Sequence, residues 1–365
     1  MANVYWGVTD SAHSDMFQPG SDGVSVGTRH HVYERNFCGD SIENHSHYGL
    51  FQDTVQAGDT NIVFRGNVGF NFGSTGVGVI SIDHVVTYNN TFYEMNTRSG
   101  PNGRTLVFYK KSESSDYPTG CMVANTIIAA CEHLDDPIYF VSENDATITH
   151  NLGYLAGFDP SYISTSDPLF VDPVQRKFRL QAGSPAINVG THVIWVTSAE
   201  GSGTTFNVND GLLLIDGWGM TDGDTVAVGG TITTITSISG NSITVADSVT
   251  WTSGMPVYWG TDTTPDIGAF PYGSTELTAA VIQQSGNDYT VTPTGDARGI
   301  WFYVDGIPTT WDSAEPFTAT ISNGNVTAKA YALYAQANPV VVATNGDSTG
   351  PAPPANIHVQ PLEPE

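Results

Sequence analysis

The sequence predicts an all-β protein, and three features of its 365 residues lead to this class. Glycine and proline are frequent, with 39 and 20 copies, and they favour turns between short strands over long helices. Between these turns, β-branched and aromatic residues alternate with polar ones, as half-buried strands do. A similar short phrase also returns along the first part of the chain, which predicts a repeating architecture.

The recurring phrase is a short apolar run that reaches an asparagine and continues with one or two apolar residues. It returns at intervals of roughly 20 to 35 residues. Its asparagines are Asn36, Asn67, Asn90, Asn125 and Asn151. A second short apolar run precedes each phrase, as in GLFQD at 49–53. Each unit therefore has the order strand, turn, strand, turn.

A flat coil of this kind cannot bury its apolar face alone, but stacked coils bury a continuous one. Asparagine side chains at one turn can then hydrogen-bond along the stack. The repeat therefore predicts a right-handed parallel β-helix over residues 1–190. A β-sandwich is the competing fold, but it gives no reason for one residue type to recur at one place in each unit.

Two longer phrases near the middle of the chain extend this prediction. SDPLFVDPVQRKFRLQAGSPAINVG covers 166–190, and TPDIGAFPYG covers 264–273. They resemble the closing segments of pectin-lyase-like parallel β-helix proteins of the choice-of-anchor Q type, which belong to phages and bacterial surfaces. The resemblance covers 1–190 and 264–273. It implies the fold, but that fold supports many activities.

The rest of the chain predicts further β-modules. Residues 191–263 alternate β-branched residues with Gly-Asp and Gly-Gly turns, so we expect a small inserted antiparallel unit. Residues 277–344 resemble bacterial immunoglobulin-like domains in their FYVDG and VTAKAYA phrases, which implies a β-sandwich. Residues 345–365 are rich in proline, and we expect an extended tail.

The charge balance excludes several classes of partner. The chain has 37 acidic and 12 basic residues, a formal net charge of -25. Nucleic-acid binding needs a concentrated positive field, which this composition does not supply. No apolar run approaches the roughly 20 residues that span a bilayer, and the first residues lack a secretory signal pattern. We expect a protein of a virion or extracellular surface, without membrane insertion.

The first candidate site is the phrase HSDMFQ near the start of the chain. In the β-helix prediction its strand stacks on YGLFQD, which brings Gln18 beside Gln52. The family resemblance implies a sugar-handling His-x-Asp pair here, His13 and Asp15. A structural role at the polar rim of the coil is the equal alternative. The catalytic candidates are His13, Asp15 and Asp53, and the substrate-binding candidates are Gln18, Gln52, Tyr48 and Arg65.

Three chemistries fit this neighbourhood. A hydrolase needs two carboxylates across a glycosidic bond, such as Asp15 and Asp53. A lyase needs a base, His13 or His47, and a cation that stabilises the enolate, either an arginine or a bound calcium ion. The third is a metal site, with candidate ligands His45, His47 and Glu43. Alternatively, these polar residues only hydrogen-bond the backbone at a turn.

Two functions follow from these patterns. The first is a structural protein of the phage tailspike, fibre or decoration type that contacts host or environmental carbohydrate through its β-helix. Unpaired backbone at a coil end invites a partner, so we expect a homo-oligomer, with a trimer favoured, or contact with other virion proteins. The second is a polysaccharide lyase or glycoside hydrolase. A polysaccharide or cell-surface glycan is the partner in both, and exposed rings would hold it: Tyr48, Tyr88, Tyr93 and Tyr109.

Overall fold

The computed structural model describes most of the chain from Arg29 onward. The described residues are 29–39, 51–54, 60–73, 75–80, 83–95, 104–109, 119–131, 137–140, 146–157, 159–219, 222–313, 315–337 and 340–345. The chain divides into two compact units, and the described residues of unit 1 fall within Met1–Glu276 and Leu333–Pro339, those of unit 2 within Leu277–Ala332 and Val340–Glu365. Apart from two short 3-10 turns at Gly211–Leu213 and Gly217–Gly219, the regular structure of the described residues is β-strand. The predicted all-β class is confirmed.

Three parallel sheets form the first part of unit 1. Sheet I contains β1 (Arg29–Glu34), β4 (Thr60–Arg65), β7 (Asp83–Tyr88), β10 (Cys121–Ala124) and β13 (Ala146–Thr149). Sheet II contains β2 (Phe37–Gly39), β5 (Val68–Phe72), β8 (Thr91–Met95), β11 (Ile127–Ala129), β14 (Asn151–Tyr154) and β15 (Tyr162–Ser164). Sheet III contains β3 (Phe51–Thr54), β6 (Val77–Ile80), β9 (Leu106–Tyr109) and β12 (Ile138–Phe140). The first four coils visit the three sheets in this order, so the predicted parallel stacking is confirmed.

The corner between sheets I and II is built by one left-handed residue in each coil. Gly66 has a φ of 62°, and the corresponding non-glycine residues have φ between 50° and 55°. These are Arg35, Asn89, Asn125 and His150. Left-handed backbone is disfavoured for most residues, and asparagine tolerates it better than other non-glycine types. The corner thus explains part of the asparagine content of the repeat.

The predicted asparagine ladder follows directly after this corner. The side-chain amide of Asn36 donates to Asn67 at 2.8 Å, and that of Asn67 donates to Asn90 at 2.9 Å. All three side chains are buried. Their mutual bonds satisfy polar groups that burial would otherwise leave without a partner.

The fourth coil departs from the predicted ladder. Ile127 pairs with Thr91, which places Thr126 at the ladder position, where its backbone N–H donates to Asn151 at 2.9 Å. Asn125 lies one position earlier, in the left-handed corner. The prediction that Asn125 continues the ladder is therefore wrong. The position of a residue in the ladder is set by strand pairing, and the spacing of asparagines along the sequence does not determine it.

Apolar side chains fill the space between the three sheets, among them Phe64, Phe92 and Phe108, which are fully buried. The outer face of sheet II packs against a closing segment that contains the hairpin β16 (Phe170–Asp172) and β17 (Lys177–Leu180). Phe70 of sheet II and Phe178 of the hairpin share this core. This chain therefore covers the outer face of sheet II itself.

An antiparallel sheet covers the outer face of sheet I. Its strands, in spatial order, are β18 (Ile194–Trp195), β23 (Pro256–Trp259), β20 (Thr225–Val228), β21 (Thr231–Ser239), β22 (Ser242–Trp251) and β19 (Gly201–Asn207). Val63 and Val86 of sheet I share a core with Val226 and Val228 of this module. The expected insertion between the closing phrases thus packs on the coils through an apolar interface.

Unit 2 consists of two four-stranded sheets around one core. The first sheet has the order β28 (Phe317–Thr320), β25 (Asp288–Thr294), β24 (Ala279–Ser285) and β31 (Thr344–Asn345). The second has the order β27 (Ile307–Asp312), β26 (Ala297–Val304), β29 (Val326–Ala332) and β30 (Val340–Val342). Ile282 and Phe317 of the first sheet share the core with Ile300 and Phe302 of the second.

Among the described residues of both units, no helix is long and apolar enough to cross a membrane.

Candidate functional site

Most of the sequence-predicted site residues lie outside the described residues. These are His13, Asp15, Gln18, Glu43, His45, His47 and Tyr48. Gln52 and Asp53 lie in β3, where the backbone pairs them with Gly78 and Val79 and the side chains are not described. Their roles stay predictions. Within the described ranges, no three metal-ligating side chains come together.

Arg65 is the one predicted site residue with a described side chain, and it is completely buried. Its guanidinium donates to Glu34 at 2.7 Å and makes two bonds to Asp224, at 2.8 and 2.9 Å. It also lies over the indole of Trp259, with 4.5 Å between the guanidinium carbon and the ring centroid. This burial argues against the predicted contact between Arg65 and a sugar. We assign Arg65 a structural role, in which it joins sheet I to the antiparallel module.

Tyr88 belongs to the same buried group. Its hydroxyl accepts a hydrogen bond from Arg65 at 3.2 Å, and burial raises the pKa of the phenol to about 12. The prediction of an exposed ring is therefore wrong for Tyr88. Tyr93 is half-buried, and the side chain of Tyr109 is not described. We call Glu34, Arg65, Tyr88, Asp224 and Trp259 the junction cluster.

A different group of aromatic side chains lies on the outer side of the second sheet of unit 2. Strand β26 alternates, so that Ile300 and Phe302 enter the core and Trp301 and Tyr303 point outward. The same alternation in β29 buries two alanines and turns their neighbours outward. We call Trp301, Tyr303, Trp311, Lys329 and Tyr331 the aromatic face. All five side chains are half-buried.

The strand register places three of these side chains in one row across the sheet. Trp311 of β27 pairs with Trp301 of β26, which pairs in turn with Lys329 of β29. The two indole rings have their centroids 5.7 Å apart. Trp311 also meets Tyr331 edge-on, with the ring centroids 5.9 Å apart. The row and its flanking tyrosines therefore form one continuous aromatic surface.

Gly299 allows the indole of Trp311 to lie across β26. A Cβ atom at this glycine would be 2.3 Å from the Trp311 ring, much closer than van der Waals contact allows. The bare backbone at Gly299 therefore lets Trp311 reach over the strand to Tyr331. Gly299 does not have a left-handed φ. A glycine is therefore needed at this position because it has no side chain, and not because of its backbone conformation.

Polar groups complete the aromatic face. The hydroxyls of Tyr303 and Tyr331 lie 3.3 Å apart, and burial, together with this hydrogen bond, raises the pKa of Tyr331 to about 12. The Tyr331 phenol is therefore neutral near pH 7. The ammonium of Lys329 lies 4.7 Å from the ring centroid of Tyr303. The face thus offers flat apolar rings, hydroxyl groups and one positive charge.

Sequence reasoning passed over this face, although the sequence carries a signal for it. In GIWFYV, the large apolar residues occupy consecutive positions, whereas a strand with one solvated face alternates apolar and polar residues. Aromatic rings on both faces of an antiparallel strand predict that its outer face binds something other than water. The resemblance of the FYVDG phrase to immunoglobulin-like domains predicts the fold of this segment but not a binding surface on it.

Comparisons of the chain with protein-family models, with curated proteins and with solved structures gave no significant match.

Proposed function

We propose that this chain is a structural protein of a virion or cell surface, that it binds a glycan, and that the aromatic face is the contact surface. The observation that carries the proposal is the group of two indoles and two phenols, half exposed and touching one another on one side of a sheet. Sugar rings present flat C–H surfaces that stack on such rings, while their hydroxyls accept and donate hydrogen bonds. A rigid aromatic side chain also loses little conformational entropy when it binds.

The proposal includes the scaffold. We infer a right-handed parallel β-helix in unit 1, supported by the three parallel sheets, the left-handed corner and the asparagine ladder. We infer an immunoglobulin-like sandwich in unit 2, supported by its two sheets and shared core. This chain covers two outer coil faces itself, which suits a rigid support. Oligomerisation, with a trimer favoured, belongs to the same proposal.

The alternative of a lyase or hydrolase rests on His13, Asp15 and Asp53, whose side chains are not described. It is tested by reducing-end and unsaturation assays on acidic and neutral polysaccharides, with Asp15→Asn beside the wild type. Activity that disappears in the variant would establish the enzyme alternative.

A glycan array, followed by titration calorimetry on the best ligand, tests the aromatic face. We expect Trp301→Ala and Trp311→Ala to weaken binding about tenfold or more, since loss of one stacked ring is worth about 1 kcal/mol or more. Trp218→Ala is the matched control, because Trp218 is 54% exposed and belongs to unit 1. Far-ultraviolet circular dichroism and urea denaturation check that each variant remains folded.

Two results would overturn the proposal. One is an array on which the wild type binds no glycan. The other is equal affinity in the wild type, Trp301→Ala and Trp311→Ala, which would place any glycan contact elsewhere on the chain.

A further inference from the structure

Lys329 occupies a central position on the aromatic face. It lies in the row that begins with Trp311 and Trp301, and its other neighbour across the sheet is Val342. Along its own strand, Tyr331 follows two residues later on the same side. Lys329 is therefore half-buried between a tryptophan and a valine of the neighbouring strands, and its ammonium lies against the ring of Tyr303.

The charge of Lys329 is unusual in this chain. The sequence has four lysines, Lys110, Lys111, Lys177 and Lys329, among 37 acidic residues. The ion pairs within the described residues all use arginine, namely Arg35, Arg65 and Arg176, each with a glutamate or aspartate. Lys329 has no such partner in the described part of unit 2. A strongly acidic protein thus has, on its aromatic face, a lysine that pairs with no carboxylate among the described residues.

Packing alone does not account for a lysine at this position. Contact of an ammonium with an exposed ring is worth about 0.5–1 kcal/mol, and a neutral side chain of similar length packs on Tyr303 without any desolvation of charge. An opposite charge brought to this site would interact with Lys329 through a medium less polar than bulk water. The chemistry that complements it is a carboxylate.

We propose that the glycan recognised by the aromatic face is acidic, and that its carboxylate pairs with Lys329 while a sugar ring stacks on the indoles. The inference rests on the proposed glycan binding and names its substrate class. The hydroxyls of Tyr303 and Tyr331 share one hydrogen bond, so one of the two phenols keeps a proton that it can donate to the carboxylate, while the Lys329 ammonium lies against the Tyr303 ring.

The net charge of -25 does not prevent this binding at physiological salt. The screening length is then about 8 Å, so carboxylates farther away on the chain act weakly on the ligand. The contact pair with Lys329 is screened much less. Affinity measurements therefore belong at about 0.15 M salt, where the local pair decides selectivity.

The test uses pairs of oligosaccharides that differ in one group. Oligogalacturonate and oligoglucuronate are each compared with the carboxyl-reduced oligomer of the same linkage and length, and calorimetry gives the ratio of affinities. We expect the wild type to prefer at least one acidic oligomer over its reduced counterpart by about tenfold or more. Lys329→Gln should bring the ratio close to one, and Lys329→Arg should retain the preference.

Lys177→Gln is the matched control, because it removes an exposed lysine of unit 1 and leaves the aromatic face intact. We expect it to behave as the wild type. The inference is overturned if Lys329→Gln keeps the acidic preference, if Lys177→Gln loses it equally, or if the wild type prefers the reduced oligomers or binds both forms equally. In these cases the losses in Trp301→Ala and Trp311→Ala still support glycan binding. Absence of any binding overturns both proposals.

Discussion

Two clusters in this protein place a cation against an aromatic ring, and they differ in what surrounds the cation. In the junction cluster of unit 1, Arg65 lies over Trp259, is fully buried and bonds to Glu34 and Asp224. In the aromatic face of unit 2, Lys329 lies beside Tyr303, is half-buried and has no carboxylate partner in the described residues. The comparison shows a cation against an aromatic ring in two settings, one fully buried and paired with carboxylates and one half-buried. We assign the first to assembly and propose the second for recognition.

The junction cluster leaves no bonding capacity for a ligand. Besides the two bonds from Arg65, Asp224 accepts one from the indole N–H of Trp259 at 3.1 Å and one from the backbone N–H of Ile215 at 2.9 Å. Buried charges persist only when they are paired and hydrogen-bonded in this way. On the aromatic face, by contrast, Lys329 forms no ion pair with any described residue, and its side chain and the four rings are half-exposed.

The largest expected effect is the loss of one partner from the junction cluster. Asp224→Ala should lower the free energy of unfolding of unit 1 by about 3–5 kcal/mol, because Arg65 stays buried with an uncompensated charge. Urea denaturation of the wild type and the variant measures this difference. A loss below about 1 kcal/mol would show that water reaches Arg65, and that the cluster is not sealed.

A second difference between the units should appear at alkaline pH. Burial raises the pKa of Cys38, Cys121 and Cys131 in unit 1 from 9.0 to about 12. Between these values the unfolded chain releases the thiol protons and the folded chain keeps them. Stability therefore falls as pH rises above 9, by about 1.4 kcal/mol per pH unit for each thiol.

Unit 2 contains no cysteine, since all three lie in unit 1. Urea midpoints measured between pH 8 and 11 should therefore fall more steeply for unit 1 than for unit 2. Replacing the three cysteines with alanine should flatten the slope of unit 1, although its stability at pH 7 also falls. An unchanged slope in this variant would contradict the assignment to the thiols.

The parallel coils could be predicted from the sequence because asparagine recurs at most ladder positions and at two of the left-handed corners. The register could not be predicted from the same signal. Asn125 resembles the ladder asparagines locally, and only the pairing of Ile127 with Thr91 shows that Thr126 takes the position. Strand pairing depends on residues 36 positions apart along the chain, such as Asn89 and Asn125, which a local phrase does not fix.

The same physical reason limits what the sequence says about the site. Arg65 looked like a free cation, but its partner Asp224 lies 159 residues away in the inserted module. No local pattern indicates that contact. The aromatic face is different, because Trp301 and Tyr303 alternate with core residues on a single strand. That signal was present in the sequence, and only the register adds that Trp311 and Lys329 complete the row.

A smaller effect is expected where the aromatic face depends on empty space. Gly299→Ala places a Cβ atom against the Trp311 ring and should displace the indole, at a cost of about 1–3 kcal/mol in the stability of unit 2. Near-ultraviolet circular dichroism of the paired indoles should change, and glycan binding should weaken. Thr309→Ala, an exposed change on β27, is the control. An unaltered spectrum would show that Trp311 does not lie over Gly299.

The smallest expected effect isolates burial as the cause of the difference between the clusters. Arg176 and Glu94 form an ion pair of 3.0 Å in unit 1, with side chains 26% and 39% exposed. Glu94→Gln keeps the shape and leaves Arg176 over the ring of Phe70. Because water replaces the lost partner, we expect a change of about 0–1 kcal/mol in urea denaturation. A loss as large as that of Asp224→Ala would mean that an exposed ion pair stabilises the fold as much as a buried one. Lys329 would then also need a carboxylate partner for the stability of unit 2.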